Sequence, residues 1–234
     1  MKPIATLVVV LTLLVPGLAF AQPGINLAWD DCLGGGGVLD KTRICTNSPL
    51  TPNNLHQSFI LPAPIGALSS SDALMDVQID SPALPPWWTS STRWSMALGP
   101  SACVGWFDGA PSGGVAFGPS VTQVGPTRIR LRTAVVVSAG EERPANAGTE
   151  YLADVIDLRF TAGTAVDPGC AAPACVVLNQ ITLVDVANPA NPITTILTTP
   201  STSNYVTWQS YALACPFPTP TKKATWGSIK ALYR

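Results

Sequence analysis

Charge is the scarcest property of this chain. Asp, Glu, Lys and Arg together make up 12% of its 234 residues, about half the roughly 25% usual in globular domains. Glutamate occurs only at Glu141, Glu142 and Glu150, no lysine lies between Lys41 and Lys222, and His56 is the sole histidine. Each shortage excludes something. Without the long charged helix formers a helical bundle has little support. A formal net charge of −1 with no basic run is not the electrostatic footprint of a nucleic-acid binder. A single histidine and the absence of a CxxC pair leave no ordinary zinc ligand set, so no metal and no cofactor is expected. GxSxG and HExxH are both missing. A hydrolase here would be of an unrecognised kind with its proton relay built on His56, and nothing brings a specific pair of carboxylates across a cleft as a glycosidase needs. The chain is therefore read as non-enzymatic. Asp30, Asp31, Asp72, Asp76, Asp80 and Asp108 lie in no DxDxDG-type loop. Asp72, Asp76 and Asp80 on one strand face would span about 26 Å, too far for one calcium ion.

What is present points outward from the cell. Lys2, the apolar run Ile4–Val15, the break at Pro16-Gly17 and the small residues of Ala19-Phe20-Ala21 have the order of an export signal. Cleavage is expected after Ala21. The run is shorter than the roughly 20 apolar residues that span a bilayer, and no second one follows, so the mature chain is not expected to insert in a membrane. A secreted or periplasmic location follows. The six cysteines, Cys32, Cys45, Cys103, Cys170, Cys175 and Cys215, then read as disulfides. Local closure favours Cys32–Cys45 and Cys170–Cys175, with Cys103–Cys215 as a long-range staple.

Val, Thr and Ile are abundant, and 23 Pro and 19 Gly punctuate the chain. That balance favours short strands joined by turns. Ala73–Asp80 alternates with a period of two, Ala73, Met75, Val77 and Ile79 facing one way. Arg128–Val137 alternates too, with Ile129, Leu131, Thr133, Val135 and Val137 on one face and Arg128, Arg130 and Arg132 on the other. Tyr151–Thr161 is read as its hairpin partner across a long connection. Cys175–Asp185 is nearly all apolar, which calls for a strand covered on both faces or carrying a bulge. Ile25–Asp30, Gln57–Leu61, Arg93–Leu98, Val115–Phe117, Ile193–Thr198 and Tyr205–Leu213 complete the set. The expected fold is all-β, an antiparallel β-sandwich of jelly-roll type over residues 22–215. Beyond it a proline-rich joint leads into a tail (216–234) with a short helical segment, in which Trp226, Ile229, Leu232 and Tyr233 recur at helical spacing.

The chain resembles a group of uncharacterised exported bacterial β-sandwich proteins with a TWGxxKxLYR-like ending. The resemblance is carried by Trp29-Asp30-Asp31-Cys32, Leu84-Pro85-Pro86-Trp87-Trp88, Cys175-Val176-Val177-Leu178-Asn179, Tyr205-Val206-Thr207-Trp208-Gln209 and Thr225-Trp226-Gly227-Ser228-Ile229-Lys230-Ala231-Leu232-Tyr233-Arg234. It spans most of the chain and implies export, but it brings no activity and no site residues with it.

Three features are candidate sites. Trp87 and Trp88, extended by Trp94 or Trp106, either cap the open end of the sandwich, as the usual burial of Trp suggests, or stack on sugar rings as a carbohydrate-binding platform. Arg128, Arg130 and Arg132 either grip anions or pair with Asp157 or Asp76 on neighbouring strands. The tail residues Trp226, Ile229, Leu232 and Tyr233 either dock on the sandwich or are read by an export or surface-attachment machine. The reading that unites these features is a non-catalytic exported protein with a structural, adhesive or surface-interaction role, its partner a glycan or another cell-surface component.

Overall fold

Period-two alternation predicts a half-buried strand at 73–80, and that segment is the second half of a longer one. The computed structural model describes residues 22–45, 53–160, 167–188, 190, 193–197, 203–212 and 215. The strands in chain order begin with β1 (Gly24–Trp29), β2 (Asp40–Lys41), β3 (Asn53–Ile60), β4 (Ile65–Ile79), β5 (Trp94–Ala97), β6 (Val104–Gly105) and β7 (Val115–Gly125). They continue with β8 (Arg128–Val136), β9 (Arg143–Ala145), β10 (Glu150–Leu158), β11 (Ala174–Asp185), β12 (Ile193–Leu197) and β13 (Tyr205–Trp208). One helical turn, α1 (Pro86–Thr89), precedes β5. The export signal and the tail lie outside the described residues.

Two sheets result. The five-stranded one runs β1-β3-β10-β5 with β6 against β10, and the eight-stranded one runs β2-β13-β11-β4-β8-β7 with β12 and β9 attached to β11 and β4. The long pairings are antiparallel; the two-residue contacts β6–β10 and β2–β13 are parallel. The inward residues Ala73, Met75, Val77 and Ile79 of β4 and Ile129, Leu131, Thr133 and Val135 of β8 are all buried. They join Ile25, Leu27, Trp29, Leu55, Phe59, Ile156 and Leu158 of the other sheet in one core cluster. That shared apolar layer makes the fold a two-sheet sandwich.

The structure corrects one strand pairing. β8 and β10 are not a hairpin: β8 pairs with β4 and β7, while β10 pairs with β3 and β5. The connection between them changes sheets, so the two strands meet across the core instead of side by side. Alternation tells which face of a strand is apolar; it carries no information about which neighbour supplies the hydrogen bonds. In β11 both explanations of the apolar run hold. A bulge falls between Leu178 and Gln180. On its outward side Cys175 and Val177 pack with Cys215, Tyr205 and Tyr211 in a second, smaller cluster.

All three expected disulfide pairings are overturned. The bonds are Cys32–Cys103, Cys45–Cys170 and Cys175–Cys215, separated by 71, 125 and 40 residues. Loop-closure entropy rises only logarithmically, about 0.6 kcal/mol per doubling of loop length, so sequence proximity is a weak guide once strands aim the thiols. Cys175 faces outward from the eight-stranded sheet, where Cys215 meets it, whereas its sequence neighbour Cys170 belongs to the main core. Cross-links of this length each stabilise the fold by on the order of 4 kcal/mol, and they fit an oxidising compartment. Among the described residues no helix is long and apolar enough to cross a membrane.

One polar group interrupts the inter-sheet core. Asp154 of β10 is 1% exposed. Its Oδ1 accepts from Gln57 Nε2 at 2.5 Å and its Oδ2 from the Thr133 hydroxyl of the opposite sheet at 2.8 Å. Burial raises its pKa to about 7 against the downward pull of those two hydrogen bonds. A raised pKa means the folded state holds the proton more tightly than the unfolded chain. The associated stability is complete below about 3.8, the ordinary value, and is lost as pH climbs through about 7. Asp154→Asn keeps the shape and removes the charge. Its stability relative to the native chain is expected to rise between pH 4 and 7 by a few kcal/mol and to stay level above that. Urea denaturation across that range measures it; a wild-type-minus-variant difference independent of pH would refute the assignment.

Candidate functional site

The tryptophans lie inside. Trp87, Trp88, Trp94 and Trp106 are 3%, 0%, 3% and 2% exposed. Pro86 occupies the first turn of α1, where a missing N–H costs nothing, and the turn carries Trp87 and Trp88 into the end of the sandwich. There Trp87 meets Trp88 edge-on at 4.8 Å and lies over Trp208 at 6.0 Å, while Trp88 contacts Trp94 at 5.9 Å. The indole N–H of Trp88 donates to the Gly169 carbonyl at 3.0 Å, that of Trp94 to the Trp88 carbonyl at 3.0 Å, and that of Trp208 to the Cys170 carbonyl at 2.7 Å. Trp106 stands apart, its N–H donating to Ser71 Oγ at 3.2 Å. None of these rings offers a face to a sugar, which corrects the platform reading; all four belong to the main core. Trp88→Ala is expected to destabilise the fold by about 3–5 kcal/mol, read as a lower melting temperature. The intact protein is expected to give a flat glycan array.

The arginine stripe is outward-facing, as its alternation requires, but two of its three guanidinium groups are already engaged. Arg130 forms a two-point contact with Asp76 at 2.8 and 3.0 Å, and Arg132 meets Asp72 at 2.6 Å. The side-chain hydrogen bond to its aspartate raises the pKa of each arginine. Asp76 was the expected partner. Asp157 was not available, because β10 lies in the other sheet and Asp157 pairs with Arg159 at 2.8 Å. A stripe with two of its three charges paired in this way is a sheet face of cross-strand ion pairs and not an anion grip.

Sequence reasoning missed a polar cluster on the outward side of the five-stranded sheet. The parity of β1, β3 and β10 places Asn26, His56, Ser58 and Glu150 there, beneath two covering loops that Cys32–Cys103 joins. Glu150 Oε1 accepts from Ser58 Oγ at 2.6 Å and Asn26 Nδ2 at 3.2 Å, and its Oε2 accepts from the Gly34 N–H at 2.8 Å. Asp31 Oδ1 accepts from the Cys32 N–H, the Ser101 hydroxyl and the Ala102 N–H at 2.8, 2.8 and 2.9 Å. Burial works to raise its pKa, but those hydrogen bonds prevail and hold it below the usual carboxylate value. The glycine run 34–37 was the available signal. A Cβ at Gly34 would stand 2.6 Å from Glu150 Oε2, and one at Gly37 would collide with the Asp31 carbonyl. Only glycine lets the loop lie this close.

Within this cluster His56, 1% exposed, is not linked to a hydroxyl or a carboxylate by a hydrogen bond among the described residues; neither ring nitrogen has a partner there. Burial pushes its pKa down in spite of Asp31 and Asp30 nearby. Ser101 donates to Asp31 directly, so no hydroxyl is presented to the imidazole. Beside the bridge a cleft of about 220 Å³ opens between Leu98, Ser101, Cys103, Phe107, Asp108 and Leu152.

No family model matches the chain, and no curated protein matches it. Among solved structures it is similar to a cohesin module from the family 33 glycoside hydrolase of Clostridium perfringens, at 8% identity and a TM-score of 0.31, covering 75% of this chain and 90% of that one. It is also similar to a chain of the CaDoc0917–CaCohA2 complex, at 8% identity and a TM-score of 0.32, covering 79% of this chain and 97% of that one. Scores below 0.5 carry neither a fold nor a function to this chain.

Proposed function

We propose that the chain is an exported, non-catalytic β-sandwich whose role is structural, adhesive or surface-interacting, acting outside the cytoplasm after loss of residues 1–21. The observation that carries this reading is where the reactive and the exposed groups lie. The single histidine and every described tryptophan are buried, which withdraws the imidazole and the indole faces from contact with a ligand. The outer face of the eight-stranded sheet, by contrast, presents exposed side chains on β7. Its register places Phe117 beside Ala134 and Asp72, and Val115 beside Val136 and Ser70. Phe117 and Val115 are 55% and 46% exposed. Exposed apolar residues rimmed by charge pairs are the composition of a protein-interaction surface. The partner class that suits it is a cell-surface component met through this face.

The tail supplies the second part of the proposal. Trp226, Ile229, Leu232 and Tyr233, with the lysines around them, act as a sorting tag read by an export or surface-attachment machine.

Two measurements test these statements. The purified mature chain is expected to bind washed envelopes of the producing organism saturably. Phe117→Asp with Arg132→Glu is expected to weaken that binding about tenfold or more, with the melting temperature unchanged. Equal binding by the variant would remove the face from the proposal. Deletion of residues 221–234 is expected to leave melting unchanged and to abolish surface location. Normal export and surface location of the truncated chain would discard the tag.

A further inference from the structure

The Cys32–Cys103 bridge differs from the other two in its surroundings. Cys103 lines the open cleft, which gives a dissolved thiol a path to its sulfur. In the other bonds Cys45 is half-buried like Cys103 but does not line this cleft, while Cys170 and Cys175 are 0% exposed and Cys215 is 7% exposed. A carboxylate oxygen of Glu150 and the sulfurs of Cys32 and Cys103 lie within 4.8 Å of one another. Ser58, Asn26 and the Gly34 N–H already orient that carboxylate. The two loops are also held together without the bridge, through the hydrogen bonds that Ser101 and Ala102 donate to Asp31 at 2.8 and 2.9 Å.

We infer that opening this one bridge converts a structural cross-link into a site for a soft divalent cation, with the thiolates of Cys32 and Cys103 and the carboxylate of Glu150 as ligands. Two thiolates and one carboxylate are a donor set for zinc, and a fourth, tetrahedral position would face the cleft. Zinc–sulfur bonds of about 2.3 Å place two tetrahedral sulfurs roughly 3.7 Å apart. The Cα–Cα distance of 6.0 Å accommodates that spacing by side-chain rotation alone. The chemistry balances with a small dithiol as reductant. Its thiolate attacks the Cys103 sulfur from the cleft and displaces Cys32 as a thiolate, forming a mixed disulfide. The second thiol of the reductant then displaces Cys103 and closes a cyclic disulfide. The reductant is oxidised by two electrons, the protein gains two thiols, and metal binding releases their two protons. The three donors lie in loops and strands far apart in the sequence, and the absence of a CxxC pair hides them from motif searches. This inference is independent of any surface-binding role.

The test uses the full mature chain. It is treated with a limited amount of a small dithiol under native conditions, freed of reductant by gel filtration under argon, and titrated with zinc(II) or cobalt(II) salts alone. Alkylation and peptide mass mapping are expected to show Cys32 and Cys103 as the first thiols released. The partly reduced chain is expected to bind one zinc, and cobalt is expected to produce a thiolate-to-metal absorption band. The oxidised chain should bind neither ion at the same concentration. Glu150→Gln is expected to weaken binding about 10-fold or more, with the oxidised form still melting cooperatively though somewhat lower because one side of the amide cannot accept a hydrogen bond, and the double variant Cys32→Ser/Cys103→Ser to abolish it. Release of Cys45 or Cys175 first, no metal uptake by the partly reduced chain, or equal affinity in Glu150→Gln would each overturn the assignment.

Discussion

Burial of the inward faces of two sheets against each other is the constraint on which everything else in this molecule depends. The alternating residues of β4 and β8 and their counterparts on β1, β3 and β10 form one apolar layer. The chain has little charge with which to build anything else. Once that layer forms, the end of the sandwich must also be closed, and Trp29, Trp87, Trp88, Trp94 and Trp208 do this. Each ring hides about 150–250 Å², so their withdrawal from the surface is a large part of the folding energy. A ring that is part of the core cannot at the same time stack on a ligand.

The disulfides act on what the apolar layer leaves loose. Cys45–Cys170 ties the segment before β3 to the turn whose carbonyls accept from Trp88 and Trp208. Cys175–Cys215 holds the chain after β13 on the outer face of the eight-stranded sheet. Cys32–Cys103 joins two loops over the five-stranded sheet, whose outer face would otherwise expose His56, Ser58 and Glu150. A face that reads as polar and half-exposed by alternation is thereby turned into a second interior. The unpartnered nitrogens of His56 are a consequence of covering a polar strand face with glycine-rich chain that has few side chains to offer in return. Asp154 shows the same tension within the main core, where two hydrogen bonds compensate only part of the desolvation of a carboxylate.

Much of the strand content was legible because the physics behind it is local. Period-two alternation located β8 and the second half of β4, and the apolar run Cys175–Asp185 foretold a bulge or a double covering. The arginine stripe was legible as outward-facing, and Asp76 as a partner for one of its members. The cysteine pairing was misread because a preference for short loops is worth less than a kcal/mol per doubling. The geometry that aims a thiol across a sheet is worth far more. The hairpin between β8 and β10 was misread for a related reason: nearness in sequence stood in for nearness in space. Glu150, Asp31 and Asp154 carried no signal of their own, since each owes its character to partners donated by distant strands and loops.

By itself the sequence determined the composition of the layers: a β chain with alternating apolar faces, little charge, and thiols in an even number. These follow from side-chain chemistry and from the two-residue repeat of an extended backbone, both readable one segment at a time. Only the tertiary structure decided which strands are neighbours, which thiols meet, and whether Trp87 and Trp88 face water or core. Those outcomes depend on how the two sheets are ordered and closed, and the contacts that order them join residues as far apart as Trp29 and Thr207, 178 positions.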